Sequence, residues 1–118
     1  MEKYVDHVGT VGYYLDDVLH REDGPAIEKA NGDKEWMING FYHRLDGPAV
    51  EYSDGNKYWF IKGKRHSEDG PAVVLANGHK EWYINGKKHR EDGPAVDYND
   101  GNIEWWTNDI KADKITFK

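Results

Sequence analysis

Hydrophobic and polar residues alternate over short stretches of this chain. In Lys34-Glu35-Trp36-Met37-Ile38, a period of two places Trp36 and Ile38 on one face and Met37 on the other. Segments of this kind each follow a dipeptide that favours a tight hairpin with positive φ angles. The four dipeptides are Asn31-Gly32, Asp54-Gly55, Asn77-Gly78 and Asp100-Gly101. A second short run, beginning Pro-Ala-Ile or Pro-Ala-Val, precedes each dipeptide. The pattern therefore predicts a series of β-hairpins.

The pattern restarts every 23 residues and defines four repeats, 20–42, 43–65, 66–88 and 89–111. Residues 1–19 align as a degenerate N-terminal cap of one or two strands, with Tyr13 at the position of Trp36. Residues 112–118, which include Ile115-Thr116-Phe117, are expected to form a C-terminal cap strand. Repeats of this length stack because one unit cannot bury its apolar face alone. We predict a single all-β domain over residues 1–118, an elongated antiparallel sheet of tandem hairpins.

The tryptophan face of this sheet is the expected core. Hydrophobic residues make up only 37% of the chain while aromatic residues reach 14%, so a few large side chains must supply the buried surface. The structural ladder consists of Trp36, Trp59, Trp82 and Trp105. A stacking platform for bases is the alternative role for these rings. The residues one position further on are expected on the opposite face, as a binding surface or as the second side of a two-sided core: Met37, Phe60, Tyr83 and Trp106.

A histidine opens each repeat, at positions 20, 43, 66 and 89, and an aspartate follows three residues later. Two strands per repeat would separate equivalent histidines by about 10 Å. That distance is too long for a shared metal ion, whose bonds to nitrogen are about 2 Å. The expectation is therefore structural, with each aspartate capping its turn and accepting a hydrogen bond from histidine or from a backbone N–H. Ligands or general bases are the alternative roles for these histidines.

Charge and composition narrow the range of functions. A net charge of −6 disfavours nucleic acid and anionic membranes as partners. The absence of cysteine excludes disulfides and thiolate metal sites, so the cytoplasm is the expected location. No apolar run is long enough to span a bilayer, and the N-terminus lacks the pattern of a signal peptide. No nucleophile, metal-ligand spacing or phosphate loop stands out from the repeats. We therefore expect no catalytic activity and no cofactor.

A basic strip is expected along the connecting edge of the sheet. It comprises Lys62, Lys64, Arg65, His66, Lys87, Lys88, His89 and Arg90. This strip would hold an acidic protein or a phosphate-bearing ligand, or it is simply a solvated edge. Ser67 stands where the other repeats have arginine, so binding along the strip is expected to be uneven.

The motif Trp82-Tyr83-Ile84-Asn85-Gly86-Lys87-Lys88-His89, followed by Gly93, Val96, Tyr98, Asp100 and Gly101, resembles the MORN (membrane occupation and recognition nexus) repeat. The inserted Arg-x-Asp and Pro-Ala also resemble those of repeat proteins from bacteria and tailed phages. The resemblance implies a twisted, solenoid-like sheet of hairpins. It also implies a role in holding proteins, or in neutralising one protein as an antitoxin does.

Two functional hypotheses follow. The first is a non-catalytic protein–protein interaction module, such as a phage or bacterial inhibitor, that docks on one protein partner. Its predicted binding surface combines the aromatic row with the basic strip, chiefly Phe60, Arg65, Tyr83, Lys87 and Arg90. The second is a protein that sequesters a small anionic ligand such as a nucleotide. Association of copies through open sheet edges is a further expectation about partners.

Overall fold

A computed structural model describes residues 1–112, which form strands and turns and contain no helix. The N-terminal segment holds β1 (Glu2–Val5), β2 (Val11–Leu15) and β3 (Val18–Leu19). The first repeat holds β4 (Ile27–Glu28), β5 (Lys34–Glu35), β6 (Met37–Ile38) and β7 (Phe41–Tyr42). The second holds β8 (Val50–Glu51), β9 (Lys57–Tyr58), β10 (Phe60–Ile61) and β11 (Lys64–Arg65). The third holds β12 (Val73–Val74), β13 (Lys80–Glu81), β14 (Tyr83–Ile84) and β15 (Lys87–Lys88). The fourth holds β16 (Val96–Asp97), β17 (Ile103–Glu104), β18 (Trp106–Thr107) and β19 (Ile110–Lys111).

One long antiparallel sheet runs through all four repeats. Its order is β1-β2-β4-β5-β8-β9-β12-β13-β16-β17, and β3 pairs with the free end of β2. The first two strands of each repeat supply one hairpin, and the hairpins add side by side into a body of 64 × 25 × 18 Å. The predicted all-β fold, an elongated antiparallel sheet of tandem hairpins, is confirmed. The predicted strand at Ile115-Thr116-Phe117 lies outside the described residues.

Each repeat also contains a second hairpin in addition to the two strands predicted for it. The pairs β6-β7, β10-β11, β14-β15 and β18-β19 form four two-stranded ribbons beside the long sheet. Their tips are two-residue turns in which both residues have positive φ, such as Asn39 at 51° and Gly40 at 81°. Asn-Gly is the preferred pair for such a turn because both residues tolerate this conformation. The predicted two strands per repeat are therefore corrected to four, arranged as two hairpins.

The predicted tips of the first hairpins are correctly located but have a different geometry. At Asn31-Gly32 only the glycine has positive φ, at 98°. Gly32 N–H donates to the Lys29 carbonyl at 3.0 Å, and Lys29 N–H donates to the Asp33 carbonyl at 2.9 Å. This pattern fits a three-residue loop with glycine in the left-handed position. The Asn31 side chain accepts from Asp33 N–H at 2.9 Å, which fixes the turn locally.

The prediction that the tryptophan ladder is the buried core is wrong. Four alanines, Ala26, Ala49, Ala72 and Ala95, are fully buried, and Val50, Val73, Val96 and Tyr83 are at most 8% exposed. Trp36, Trp59 and Trp82 are only half-buried, and Trp105 is 49% exposed. The tryptophans lie one residue beyond the two-residue strands of the long sheet, between those strands and the second hairpins. The core is consequently a thin row of small side chains.

The register explains which residues share the valine face. Directly paired residues of an antiparallel sheet lie on the same side. The pairs Glu35↔Val50, Val50↔Tyr58, Tyr58↔Val73, Val73↔Glu81 and Glu81↔Val96 therefore form one continuous row across the sheet. Tyr83 packs against this row together with Ala72 and Val73. The prediction that Tyr83 belongs to an exposed aromatic row is therefore wrong, because it is only 8% exposed.

Candidate functional site

The tryptophan side of the sheet carries a repeated arrangement that we call the arginine cap. In the second repeat the guanidinium of Arg44 lies 3.8 Å from the ring centre of Trp36, in a cation–π contact. Its Nε donates to Asp46 at 3.1 Å and its Nη1 donates to the Pro48 carbonyl at 3.1 Å. The planar guanidinium is thus held on its face by the ring and at its edge by two oxygen atoms. Arginine suits this geometry because its donors form a rigid fork.

The arginine cap recurs with nearly the same distances in the first and fourth repeats. Arg90 lies 4.0 Å from the ring centre of Trp82, and its Nη1 donates to the Pro94 carbonyl at 3.1 Å. Arg21 lies 3.9 Å from the ring centre of Tyr13, the residue that aligns with Trp36 in the N-terminal segment. The glycine before each proline leaves room for the cap, because a Cβ on Gly93 would lie 2.7 Å from Cζ of Arg90. Glycine here is explained by a neighbouring guanidinium rather than by an unusual φ.

The third repeat has the same framework without the guanidinium. Ser67 occupies the position of the capping arginine, yet its backbone N–H still donates to the Tyr83 carbonyl at 3.1 Å, as Arg44 N–H does to Phe60. Among the described residues, no arginine or lysine makes a cation–π contact with Trp59. A Cβ on Gly70 would meet nothing within 4 Å. The space beside Trp59 that an arginine would fill is therefore open.

Two adjoining grooves open at this place on the tryptophan side. One has a volume of about 530 Å³ and includes Arg44, Trp59 and Ile61 in its lining. The other has a volume of about 740 Å³ and includes Pro71, Trp82 and Arg90. Ser67, Glu68 and Asp69 line both, so the two grooves form one continuous surface that we call the Ser67 groove. Its walls combine tryptophan rings with the carboxylates of Asp46, Glu68, Asp69, Glu91 and Asp92.

The histidines have a structural role that differs in detail from the expected one. Nδ1 of His20, 2.9 Å from the Asn39 nitrogen, accepts that residue's backbone N–H at the second hairpin turn. His43, His66 and His89 accept from Lys62, Asn85 and Asn108 in the same way, at 3.0 to 3.1 Å. Asp23, Asp46 and Asp92 receive hydrogen bonds from arginine instead of histidine. Within residues 1–112, no group of three or more histidine and acidic side chains is placed to hold a metal ion.

The predicted binding residues fall into separate places. Phe60 pairs with Arg65 across β10 and β11, and the Arg65 Nη1 lies 3.4 Å from the Tyr83 hydroxyl on the valine side. Arg90 lies apart from them as the cap of Trp82, and Lys87 is exposed on β15. The structure therefore groups Phe60, Arg65 and Tyr83 and separates Lys87 and Arg90 from that group. Their role in binding stays a prediction.

A tyrosine–glutamate pair on the valine side stabilises the second hairpins. The Tyr83 hydroxyl donates to Glu81 at 2.8 Å, and Tyr42 donates to Glu35 at the same distance. The pKa of Tyr83 and that of Tyr42 are both raised to about 12. Burial of the phenol is the largest cause, and the hydrogen bond to the neighbouring glutamate is the second. Burial alone would raise the pKa of Glu81, but hydrogen bonds from His79 and Tyr83 outweigh it and lower that pKa. These groups are held in defined protonation states as part of the fold.

The basic strip lies on the second hairpins. Lys62, Lys64 and Lys87 are exposed there, while Arg65 is half-buried between the rings of Tyr58 and Tyr83. Arg90 is separated from the strip by its stacking on Trp82. The strip is therefore mainly a row of solvated lysines.

The sequence marks Ser67 as an exception, but the missing arginine cap on Trp59 was not predicted from it. The signal was present in the spacing, since the capping arginine follows its aromatic partner by eight residues and precedes an aspartate by two. Reading that spacing together with the glycine before proline would have predicted a stacked guanidinium.

Comparison of the sequence with models of known protein families and with characterised proteins gives no match. The resemblance to MORN repeats stays a prediction. Over residues 1–112, no helix is long and apolar enough to cross a membrane.

Proposed function

We propose that this chain is a non-catalytic protein-binding module that presents the Ser67 groove to one protein partner. The observation that carries the proposal is the joining of two open grooves, of about 740 and 530 Å³, along the tryptophan side of a body 64 Å long. Small-molecule sites are usually concave pockets that enclose most of the ligand. A continuous open groove lined by both rings and charges suits a segment of protein better.

The side chains of the groove fit this role. Tryptophan and arginine are over-represented among the residues that dominate binding energy in protein interfaces. Leu45 is 81% exposed at one end of the groove, which adds an apolar contact. An inhibitor or antitoxin that neutralises its partner is the form of this function that the MORN-like and phage-like resemblance suggests.

A small anionic ligand fits this groove less well. The carboxylates of Glu68, Asp69, Glu91 and Asp92 would repel an anion at the place where aromatic rings are accessible. The basic strip on the second hairpins would have to hold such a ligand mainly with exposed lysines, which bind as mobile point charges. We therefore favour a protein partner.

Affinity capture tests this function. Immobilised wild-type chain is incubated with extract of its native host, beside two charge-reversal variants at exposed positions, Glu68→Lys in the groove and Lys64→Glu in the strip. We expect wild type and Lys64→Glu to enrich the same protein and Glu68→Lys to lose it, as read by mass spectrometry. Failure of wild type to enrich any protein, or release of a ligand that absorbs at 260 nm on denaturation, would contradict the proposal.

A further inference from the structure

The third repeat keeps the setting of an arginine cap but lacks the arginine that fills it in the other three repeats. Three repeats hold a guanidinium on an aromatic ring, next to an aspartate and a proline carbonyl. At the third repeat the ring is still supplied by the preceding repeat (Trp59), the aspartate (Asp69) and the proline (Pro71) are kept, and only the arginine is replaced, by Ser67. We call the space among these groups the Trp59 slot.

The framework of the slot is held in place independently of any occupant. His66 N–H donates to the Trp59 carbonyl at 3.1 Å, and Trp59 N–H donates to the Ala72 carbonyl at 2.7 Å. Nδ1 of His66 accepts from Asn85 N–H at 3.0 Å, as the other histidines do in their own repeats. These contacts fix both sides of the slot, so a ligand would meet a preorganised site and bind with little ordering cost.

The slot is also open to a ligand from outside. Gly70 has no atom within 4 Å of where a Cβ would stand, whereas the matching position at Gly47 lies 3.0 Å from Cζ of Arg44. Trp59 and Ser67 line the 530 Å³ groove, while Gly70 and Pro71 line the 740 Å³ groove. The slot thus lies at the junction of the two grooves, within reach of a chain that occupies either one.

From these observations we infer that the Trp59 slot binds an arginine side chain of the protein partner. The guanidinium would stack on the Trp59 ring, donate one N–H to the Asp69 carboxylate and donate another to the Pro71 carbonyl. The carboxylates of Glu68 and Glu91 and the net charge of −6 favour a cationic ligand. A lysine would serve less well, because its ammonium lacks the flat face and the fixed fork of donors. This inference rests on the proposed function for its source of arginine, but the chemistry of the slot is testable alone.

The direct test is a titration of the folded chain with N-acetylarginine amide, followed by NMR of the tryptophan indole N–H signals. The Trp59 signal is assigned with a Trp59→Phe variant. We expect a saturable shift of the Trp59 signal, and a much smaller one with N-acetyllysine amide. Asp69→Asn should weaken arginine binding about threefold, as expected for an exposed ion pair. Equal shifts with both amides, or none with arginine, would overturn the inference.

Two reciprocal variants provide the matched control. Ser67→Arg supplies the missing guanidinium from within, so the Trp59 shift should vanish while the melting temperature stays the same or rises. Arg44→Ser empties the equivalent position on Trp36, so a second indole signal should begin to respond to arginine. If Ser67→Arg keeps the Trp59 response, or if Arg44→Ser gains none while its melting curve shows it folded, the slot does not bind guanidinium.

Further outcomes separate the slot from the proposed function. If the amide binds at Trp59 but wild type captures no protein, the slot exists and the proposed function fails. If a protein is captured equally by wild type and Ser67→Arg, the function stands and the slot is not its arginine site. If sedimentation shows that wild type forms a dimer that Ser67→Arg abolishes, the occupant is a second copy of the chain and the assignment to a different partner is overturned.

Discussion

At the scale of single residues, this protein uses polar groups where most folds use apolar ones. Arg21, Arg44 and Arg90 cover aromatic rings, and the histidines accept backbone N–H groups at the second turns. Glu35 is only 7% exposed yet is satisfied by the Tyr42 hydroxyl at 2.8 Å. Such fully hydrogen-bonded polar contacts specify one geometry, since leaving any buried member unpaired would cost about 1 to 3 kcal/mol.

The raised pKa of Tyr83 gives a prediction about alkaline stability. The pKa of this phenol is about 12 in the folded chain and about 10 in the unfolded chain. Its contribution to the free energy of unfolding is therefore complete below pH 10 and is lost as the pH rises towards 12. Urea unfolding of wild type should therefore show a loss of stability across that range that is smaller in Tyr83→Phe. Parallel pH profiles of the two proteins would contradict the assignment. Absorbance of phenolate should likewise show that Tyr42 and Tyr83 titrate late.

At the scale of elements, each repeat is two hairpins with different turns. The long sheet uses three-residue loops that end in a left-handed glycine, and the side ribbons use two-residue turns with two positive φ angles. The histidine that opens each repeat accepts a hydrogen bond from a backbone N–H in the second turn of the same repeat, 19 residues later. This contact joins the beginning of the repeat to its second hairpin. Turn chemistry therefore determines where each strand of only two residues ends.

A pair of glycine variants tests this account of the turns. Gly86 has a φ of 81° and a Cβ there would lie 3.6 Å from Lys64, so Gly86→Ala meets backbone strain without a clash. Gly70 has neither a positive φ nor a neighbour within 4 Å. We expect Gly86→Ala to lower the free energy of unfolding by about 1 to 2 kcal/mol and Gly70→Ala to leave it nearly unchanged. Equal effects in urea titrations would mean that the turn is wrongly assigned.

The sequence was sufficient for the repeat, the fold class and the positions of the first hairpins, because period and turn dipeptides are local signals. It did not reveal which face is buried, because strands such as Val73–Val74 are too short for alternation to separate the two sides. The second hairpins were missed although Asn39-Gly40 and Asn85-Gly86 carry the same turn signal as Asn31-Gly32. The Ser67 groove depends on contacts between different segments, so neither its lining nor its open slot follows from one repeat alone.

At the scale of the whole molecule, the fold is an extended platform with a thin core. The radius of gyration is 16.9 Å, whereas a compact domain of this length would have about 13.5 Å. Stability must come from contacts between neighbouring repeats, since the first and last repeats do not meet along the sheet. The benefit of this shape is a long accessible surface on both faces.

Small-angle X-ray scattering tests this elongation in solution. We expect a radius of gyration of at least about 17 Å and a longest dimension consistent with the 64 Å axis. A dilution series controls for association through sheet edges, which would raise both values with concentration. A concentration-independent radius near 13.5 Å, the value for a compact domain, would contradict the extended sheet.

The central claim is that the strictly repeated residues build the fold and that the replacement of the capping arginine by Ser67 creates the binding site that we propose. Calorimetric titration of the captured partner against wild type, Ser67→Ala and Ser67→Arg tests it most directly. The account predicts that Ser67→Ala binds like wild type, and that Ser67→Arg binds about tenfold more weakly or worse because its own guanidinium fills the slot. The melting temperature of Ser67→Arg should not fall. Wild-type affinity in Ser67→Arg would contradict the account.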